Sequence, residues 1–256
     1  MSTKKDDRRK VRLRVLRQDA PDKPSSRRFE EVEVDLHPSM TVHDCLEAVR
    51  RRPVNVKGAA IAPIAWEASC LEETCGACTM MIQGRPRQAC ATLVSEVSPK
   101  GQPIVLEPLG KFPVERDLIV DRAKMFDALT RVRAWVKLDG SASPAPAEGQ
   151  GAQQGRYELS SCIACGACLE ACPEVHDGSA FVGAAALNEV RALNLHPVGR
   201  LDRGERLEAI MGDGGVADCG KAQNCVEVCP KAIPLVDSIG ELSRETTWRW
   251  LFGWRR

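Results

Sequence analysis

The sequence lacks the long apolar runs that a membrane-spanning protein needs. No stretch reaches eighteen consecutive apolar residues, so we expect no transmembrane helix and only a peripheral link to a membrane. The sequence also lacks an excess of charge of one sign, since it has 36 basic and 35 acidic residues and a formal net charge of +1. A balanced charge provides no broad positive field, and we therefore predict that nucleic acid is not a partner.

Two recognition segments are also missing. No G-x-G-x-x-G follows a predicted strand, so the usual fingerprint for binding a flavin or nicotinamide dinucleotide is absent. The first sixteen residues contain no apolar signal segment, and basic residues follow Arg8 and Arg9 where a twin-arginine signal needs apolar ones. We therefore expect the chain to face the reducing cytoplasm, where disulfides are rare.

Cysteine, by contrast, is abundant, and two domains are predicted around it. Alternating apolar residues predict strands over 11–16 and 29–36, and the pattern after Thr41 predicts a short helix that buries Cys45. A longer helical pattern runs over 115–136, and residues 139–156 resemble a linker-like insert. We predict a domain over 1–114 and a mainly helical domain over 115–256, with a further helix over 179–195.

The first cysteine motif predicts a 2Fe-2S cluster. Its spacing, C-x4-C-x2-C and then a fourth cysteine, is typical of plant-type ferredoxins, and it comprises Cys70, Cys75, Cys78 and Cys90. Gly76 and Ala77 provide the small residues that a sharply turning loop requires. A structural zinc site is the alternative, but such sites usually pair two C-x2-C units, which this segment lacks.

Two further cysteine runs predict a pair of cubane-type clusters. The first run is C-x2-C-x2-C-x3-C-P, in which the fourth cysteine of bacterial ferredoxins serves the other cluster. The second run is C-x5-C-x3-C-P, with Ala222 where the template has its second cysteine. Exchange of the fourth ligands predicts a 4Fe-4S cluster on Cys162, Cys165, Cys168 and Cys229.

The second cubane site has only three thiols, namely Cys172, Cys219 and Cys225. An alanine methyl group cannot coordinate iron, so the sequence predicts a 3Fe-4S cluster there. An external ligand that completes a fourth iron beside Ala222 is the alternative. Eleven of the twelve cysteines thus become ligands, and Cys45 is interpreted as a small core residue.

These motifs in this order resemble the iron-sulfur subunits of succinate dehydrogenase and fumarate reductase. The resemblance covers nearly the whole chain and includes RQACATL at 87–93, FPVERDLIVDRAKMFD at 112–127 and DGGVADCGKAQNCVEVCPKAIPL at 213–235. It implies an α+β fold, with a plant-type ferredoxin (β-grasp) domain followed by a mainly α-helical bacterial-ferredoxin-like domain. In detail the chain is similar to the menaquinone-linked type with a dihaem cytochrome b anchor.

The resemblance implies a role as electron relay in respiratory complex II, with no catalytic residue on this chain. Electrons would pass from the FAD of a flavoprotein subunit through 2Fe-2S, 4Fe-4S and 3Fe-4S clusters to menaquinone near a membrane anchor that holds haem b. Pro173 matches a family position close to quinone, whereas Asp177 and Gly220 differ from the tryptophan and histidine of ubiquinone-linked relatives. The chain would lie on the cytoplasmic side of the cell membrane, bound through the anchor.

Other functions remain open at this point. A fumarate reductase would use the same relay in the opposite direction, and another flavoprotein-linked enzyme could use a similar subunit. A soluble ferredoxin and a structural zinc protein are two further alternatives. The tail TWRWLFGWRR, with three of the five tryptophans, suits either a membrane interface or a terminal helix packed on protein.

Overall fold

The computed structural model describes residues 9–137 and 148–253 and divides the chain into two compact units between Asp121 and Arg122. The sequence placed this boundary after residue 114. The difference has a physical cause, because residues 114–120 form a small hairpin and Asp117 makes an ion pair with Arg17 of the first strand. The segment therefore packs with the first unit, and the predicted helix over 115–136 is shortened to Ala123–Arg131.

A mixed sheet forms the centre of the first unit. Within the described residues it has the strand order β2-β1-β5-β3-β4, in which β1 and β5 are parallel and the other pairs are antiparallel. The strands are β1 Lys10–Arg17, β2 Arg28–Asp35, β3 Thr79–Ile82, β4 Arg85–Gln88 and β5 Ile104–Glu107, and the separate small hairpin comprises β6 Val114–Arg116 and β7 Ile119–Val120. The predicted N-terminal hairpin is present, with one face of each strand buried as alternation requires.

The helix predicted after Thr41 is α1, Val42–Arg51. Thr41 caps it, since its hydroxyl accepts from the Asp44 amide while the Asp44 carboxylate accepts from the Thr41 amide. Its apolar face is buried in the core of the unit, and Cys45 and Leu46 on that face are fully buried. A second, one-turn helix, α2, spans Val94–Val97. The two strands and the helix that the sequence predicts for this half of the chain are thus present.

A buried ion pair links the two ends of the first unit. Arg17 and Asp117 are almost completely buried, and the Arg17 Nε lies 2.8 Å from the Asp117 Oδ1. Asp117 also accepts from the amides of Gln18 and Ala65, at 3.2 and 2.9 Å. The other two Arg17 nitrogens donate to the carbonyls of residues 62 and 63, both at 3.1 Å. The pair therefore anchors the segment that leads into the first cysteine loop.

The second unit is built from helices around a central helix, α6. Its described helices are α3 Ala123–Arg131, α4 Gln150–Ser160, α5 Ala167–Ala171, α6 Gly183–Leu195, α7 Arg203–Ala209, α8 Asn224–Glu227 and α9 Leu235–Phe252. Short 3-10 helices occupy Gly199–Asp202 and Val216–Asp218. Helix α6 packs against α3, α4, α5 and α9. The α+β fold predicted for the chain is confirmed.

The linker-like interpretation of 139–156 is wrong for its last part. Residues 139–147 lie outside the described residues, but 150–156 belong to α4. Leu159 near the end of α4 is buried, and its carbonyl accepts a 2.9 Å hydrogen bond from the buried Asn188 side chain on α6. Tertiary packing thus stabilises a helix that a weakly apolar, glycine-containing sequence does not predict.

Among the residues that the structure describes, none of the helices combines the length and apolar character required to cross a membrane.

Candidate metal centres

The first cysteine loop, residues 70–78, turns sharply and donates backbone hydrogen bonds to the sulfur of Cys70. Leu71, Glu73 and Gly76 have positive φ values of 62°, 53° and 71°, so the backbone turns sharply between the cysteines. The amides of Glu72 and Thr74 donate to the Cys70 Sγ at 3.4 and 3.3 Å. Hydrogen bonds from the Thr74 side chain and then from these amides lower the pKa of Cys70 to about 6. The loop therefore favours a thiolate at Cys70.

The four thiols of the first motif form two pairs. Cys75 contributes a hydrogen bond to Cys70, and the Sγ atoms of Cys78 and Cys90 lie 3.4 Å apart. The second pair exists because Cys78 precedes β3 and Cys90 follows β4, and these strands pair in antiparallel register. Burial raises the pKa of Cys78 to about 12, so a bare thiolate is unfavourable there. Two thiol pairs suit two irons that each need two protein ligands.

The first cubane motif brings four thiols to one cavity in the second unit. Cys162, Cys165, Cys168 and Cys229 line it together with apolar side chains. Ala164 and Gly166 have positive φ values of 49° and 84°, which turn the backbone between successive cysteines before α5 begins. Cys229 comes from the distant second run, so the structure brings together the four residues that the sequence assigned to the 4Fe-4S cluster.

Burial dominates the electrostatics of this cavity. It raises the pKa of Cys168 well above the ordinary value, and neighbouring thiolates, including those of Cys162 and Cys229, add to the increase. Burial likewise raises the pKa of Cys162, with Cys165 and Cys229 among its charged neighbours. Thiolates in this place require compensating positive charge, which iron provides when it is bound.

The remaining three thiols come together at the contact between α5 and α8. Asn224 on α8 donates from its side chain to the carbonyl of Ala171 on α5, at 2.9 Å. Cys172 directly follows α5, and Cys225 lies in α8. Burial first, and the charges of Cys172 and Cys219 among the further causes, raise the pKa of Cys225. Cys225 is also a charged neighbour of Cys168, so the two cubane sites adjoin each other.

Ala222 lies in the turn between Cys219 and Cys225 and is exposed. The residues on either side of it, Lys221 and Gln223, have positive φ values of 57° and 64°. This tight turn resembles the one around Ala164 and Gly166 in the first motif. The residue types present therefore fit two cubane sites of which one has a fourth thiol and the other does not.

The zinc alternative requires ligands around a single ion. Among residues 9–137 and 148–253, no group of three or more histidine, cysteine, aspartate or glutamate side chains is arranged to hold one metal ion. No disulfide joins any of the twelve cysteines, all of which are described.

Pro173, the predicted quinone-proximal residue, is exposed directly after Cys172. Close to it, Glu174 extends over Gly220, where an added Cβ would lie 2.1 Å from the carboxylate Oε1. A histidine at position 220 would require this carboxylate to move. The sequence did not single out Glu174, since no local pattern indicates a contact between residues 174 and 220. Asp177 is exposed.

Cys45 lies outside all three groups and is fully buried in α1, where burial raises its pKa to about 12. We expect Cys45→Ala to leave iron and acid-labile sulfide content unchanged and to cost about 1 kcal/mol of stability through a small cavity. Cys78→Ala is the matched comparison, because Cys78 is a similarly buried thiol of the same unit. It should lose the 2Fe-2S cluster. A loss of iron in Cys45→Ala would contradict its assignment to the core.

Comparison with known proteins matches two iron-sulfur families to successive parts of the chain. A family described as "2Fe-2S iron-sulfur cluster binding domain" matches residues 12–127, and one described as "4Fe-4S dicluster domain" matches residues 158–233. The chain is 48% identical to the succinate dehydrogenase iron-sulfur subunit of Bacillus subtilis, over 92% of each chain. It is 33% identical to the fumarate reductase iron-sulfur subunit of Wolinella succinogenes, over 93% of this chain and 97% of the relative.

One solved structure supports the fold. A chain of the Mycobacterium smegmatis Sdh1 complex in the apo form is similar with a TM-score of 0.82 and 23% identity, over 97% of this chain and 100% of that chain.

Proposed function

This chain belongs to the family of the iron-sulfur subunits of succinate dehydrogenase and fumarate reductase, and from that premise we propose that it is the electron-relay subunit of a succinate:quinone oxidoreductase. The observation that carries the proposal is the arrangement of eleven cysteines in three groups on a chain that matches a succinate dehydrogenase subunit along 92% of its length. Bound clusters would supply one-electron transfer, and the chain's own residues hold and bury them.

The residues have distinct tasks in this proposal. Two thiol pairs on the first unit would hold a 2Fe-2S cluster, and the cavity of the second unit would hold a 4Fe-4S cluster. Cys172, Cys219 and Cys225 would hold a 3Fe-4S cluster. FAD would belong to a flavoprotein partner, and haem b to a membrane anchor that keeps this subunit at the cytoplasmic face of the membrane. The relay would connect the FAD to a membrane quinone.

The quinone is proposed to be menaquinone and to bind close to Pro173. The presence of Asp177 and Gly220 supports this, since ubiquinone-linked relatives have tryptophan and histidine at the matching positions. In addition, the Glu174 carboxylate occupies the space that a side chain at position 220, beside Cys219, would need.

A fumarate reductase is the second candidate, and the 33% identity to the Wolinella succinogenes subunit supports it. Both candidates share the relay and differ in the direction of electron flow. We favour succinate oxidation because the identity to the succinate dehydrogenase subunit is higher over a comparable length.

The function is tested by purifying the native complex through a tag on this chain after solubilising the membranes in mild detergent. We expect a flavoprotein with FAD and a haem-containing membrane protein to copurify, extraction to yield menaquinone, and succinate to reduce the preparation. A chain that purifies without a flavoprotein would contradict the proposal. Rapid turnover with fumarate and negligible turnover with succinate would favour the second candidate.

The 3Fe-4S assignment is tested by Ala222→Cys. We expect the oxidised variant to lose its 3Fe-4S EPR signal and to gain a second 4Fe-4S cluster, because the added thiol can bind a fourth iron. Ala222→Val is the matched control, since it adds bulk at an exposed position but no ligand. It should retain the 3Fe-4S signal. An unchanged spectrum in Ala222→Cys would refute the assignment.

A further inference from the structure

A cavity of about 510 Å³ lies in the second unit, away from the cysteines. It is formed by the Gly199–Asp202 turn, helix α7 and the C-terminal half of α9. Its lining includes four arginines and two exposed large apolar side chains, namely Arg200, Arg203, Arg244, Arg249, Leu201 and Trp248. None of these residues takes part in the proposed cluster sites. The cavity therefore needs an explanation of its own.

The lining carries an excess of positive charge. Glu245 is the carboxylate in the lining, and it pairs with Arg203 at 3.0 Å. Arg244 and Arg249 pair with Glu241 and Glu208, which lie outside the lining.

Arg200 has no ion pair within the described part of the chain. A guanidinium group has five N–H donors, so an arginine that binds one carboxylate keeps donors for a ligand. Arg200, unpaired within the described residues, and the remaining donors of the three paired arginines favour an anionic occupant.

Apolar side chains surround the same cavity without being covered. Leu201 is 79% exposed and Trp248 is 55% exposed. Trp248 stacks on Phe252 with ring centroids 4.6 Å apart, and Phe252 is itself largely exposed. Indole rings and arginines side by side are typical of the boundary between lipid headgroups and acyl chains. An acidic peptide would satisfy the guanidinium groups but not this apolar rim.

We propose that this cavity binds the phosphate headgroup of an anionic phospholipid, with Leu201 and Trp248 entering the edge of the acyl region. Lipid binding would be a second membrane contact of the chain, in addition to the anchor protein. The inference depends on the proposed function only in that the complex would bring this subunit to a membrane. Phosphate oxygens accept from the arginines, and the amphipathic rim matches the rest of the lipid.

The test is cosedimentation of the cluster-loaded full chain with vesicles. We expect it to bind vesicles that contain phosphatidylglycerol and to bind pure phosphatidylcholine vesicles much more weakly. Arg244→Gln should weaken binding to the anionic vesicles about fivefold, and Arg200→Gln with Arg244→Gln about 25-fold, from the usual contribution of each basic residue near an anionic surface.

Arg50→Gln is the matched control. Arg50 pairs with Glu47 three residues earlier, as Arg244 pairs with Glu241, and the two arginine side chains are 62% and 65% exposed. Of these two arginines only Arg244 lines the cavity, so the Arg50→Gln variant should bind anionic vesicles as tightly as the unchanged chain. Equal losses in Arg50→Gln and Arg244→Gln would overturn the proposal.

Two further measurements separate lipid from other anionic ligands. Calorimetric titration with inorganic phosphate should show much weaker binding than that of anionic vesicles. Equally tight binding of phosphate would mean that the ligand of the cavity is free phosphate and not a lipid. The double variant should still copurify with the flavoprotein and anchor in detergent. Loss of the anchor would reassign the cavity to a protein interface. A failure of the proposed function would give a result different from these two outcomes. In that case the unchanged chain itself would copurify with neither the flavoprotein nor the anchor.

Discussion

The Cys172→Ala variant is expected to lose the 3Fe-4S EPR signal and to keep the 4Fe-4S signal. This result is not obvious from position along the chain, because Cys172 is the fourth cysteine of the run that starts at Cys162. The structure places Cys172 at the end of α5 beside α8, where burial first, and then the charge of Cys172, raises the pKa of Cys225. Removing its thiol leaves the second cubane site with two ligands, which is too few to retain the cluster.

Cys229→Ala is the matched control and should show the reverse. Cys229 follows the 3Fe-4S motif in sequence, but its side chain lines the cavity with Cys162, Cys165 and Cys168. The variant should lose the 4Fe-4S signal of the dithionite-reduced protein. The site formed by Cys162, Cys165 and Cys168 should then hold three irons at most. If each run instead supplied all the ligands of its own cluster, Cys172→Ala would lose the 4Fe-4S signal and Cys229→Ala would lose the 3Fe-4S signal. That outcome would refute the exchange of fourth ligands.

The second large effect concerns Asp117. Replacing it with alanine should lower the free energy of unfolding of the first unit by about 3–5 kcal/mol, because the substitution leaves Arg17 charged and buried without its partner. The amides of Gln18 and Ala65 lose their acceptor as well. The measurement is the urea concentration at which the visible circular dichroism of the 2Fe-2S cluster disappears.

Asp19→Asn is the control for this prediction. Asp19 makes an ion pair with Arg28 at 2.9 Å in the same unit, but both side chains are about half exposed. Solvent screens such pairs, so the urea midpoint should hardly change. If Asp117→Ala shifted the midpoint no more than Asp19→Asn, the buried pair would not stabilise the unit as we infer.

Much of the site could be predicted because cluster ligands are grouped at short, regular spacings. Seven of the cysteines lie in two compact runs, 70–78 and 162–172, whose spacings indicate the cluster types. The first hairpin and α1 were also predictable, since alternation and a capping threonine are local signals. The small hairpin over 114–120 was not, because its strands are only two and three residues long.

The sequence by itself determined the number of thiols in each run, the absence of a cysteine at position 222 and the membership of the family. The tertiary structure alone brought Cys229 into the cavity of the first run and Asp117 against Arg17, residues one hundred positions apart. It also gathered arginines from two helices and a turn around one cavity. The reason is physical: a local pattern reflects interactions along one strand or helix, whereas these contacts form only when distant segments pack together.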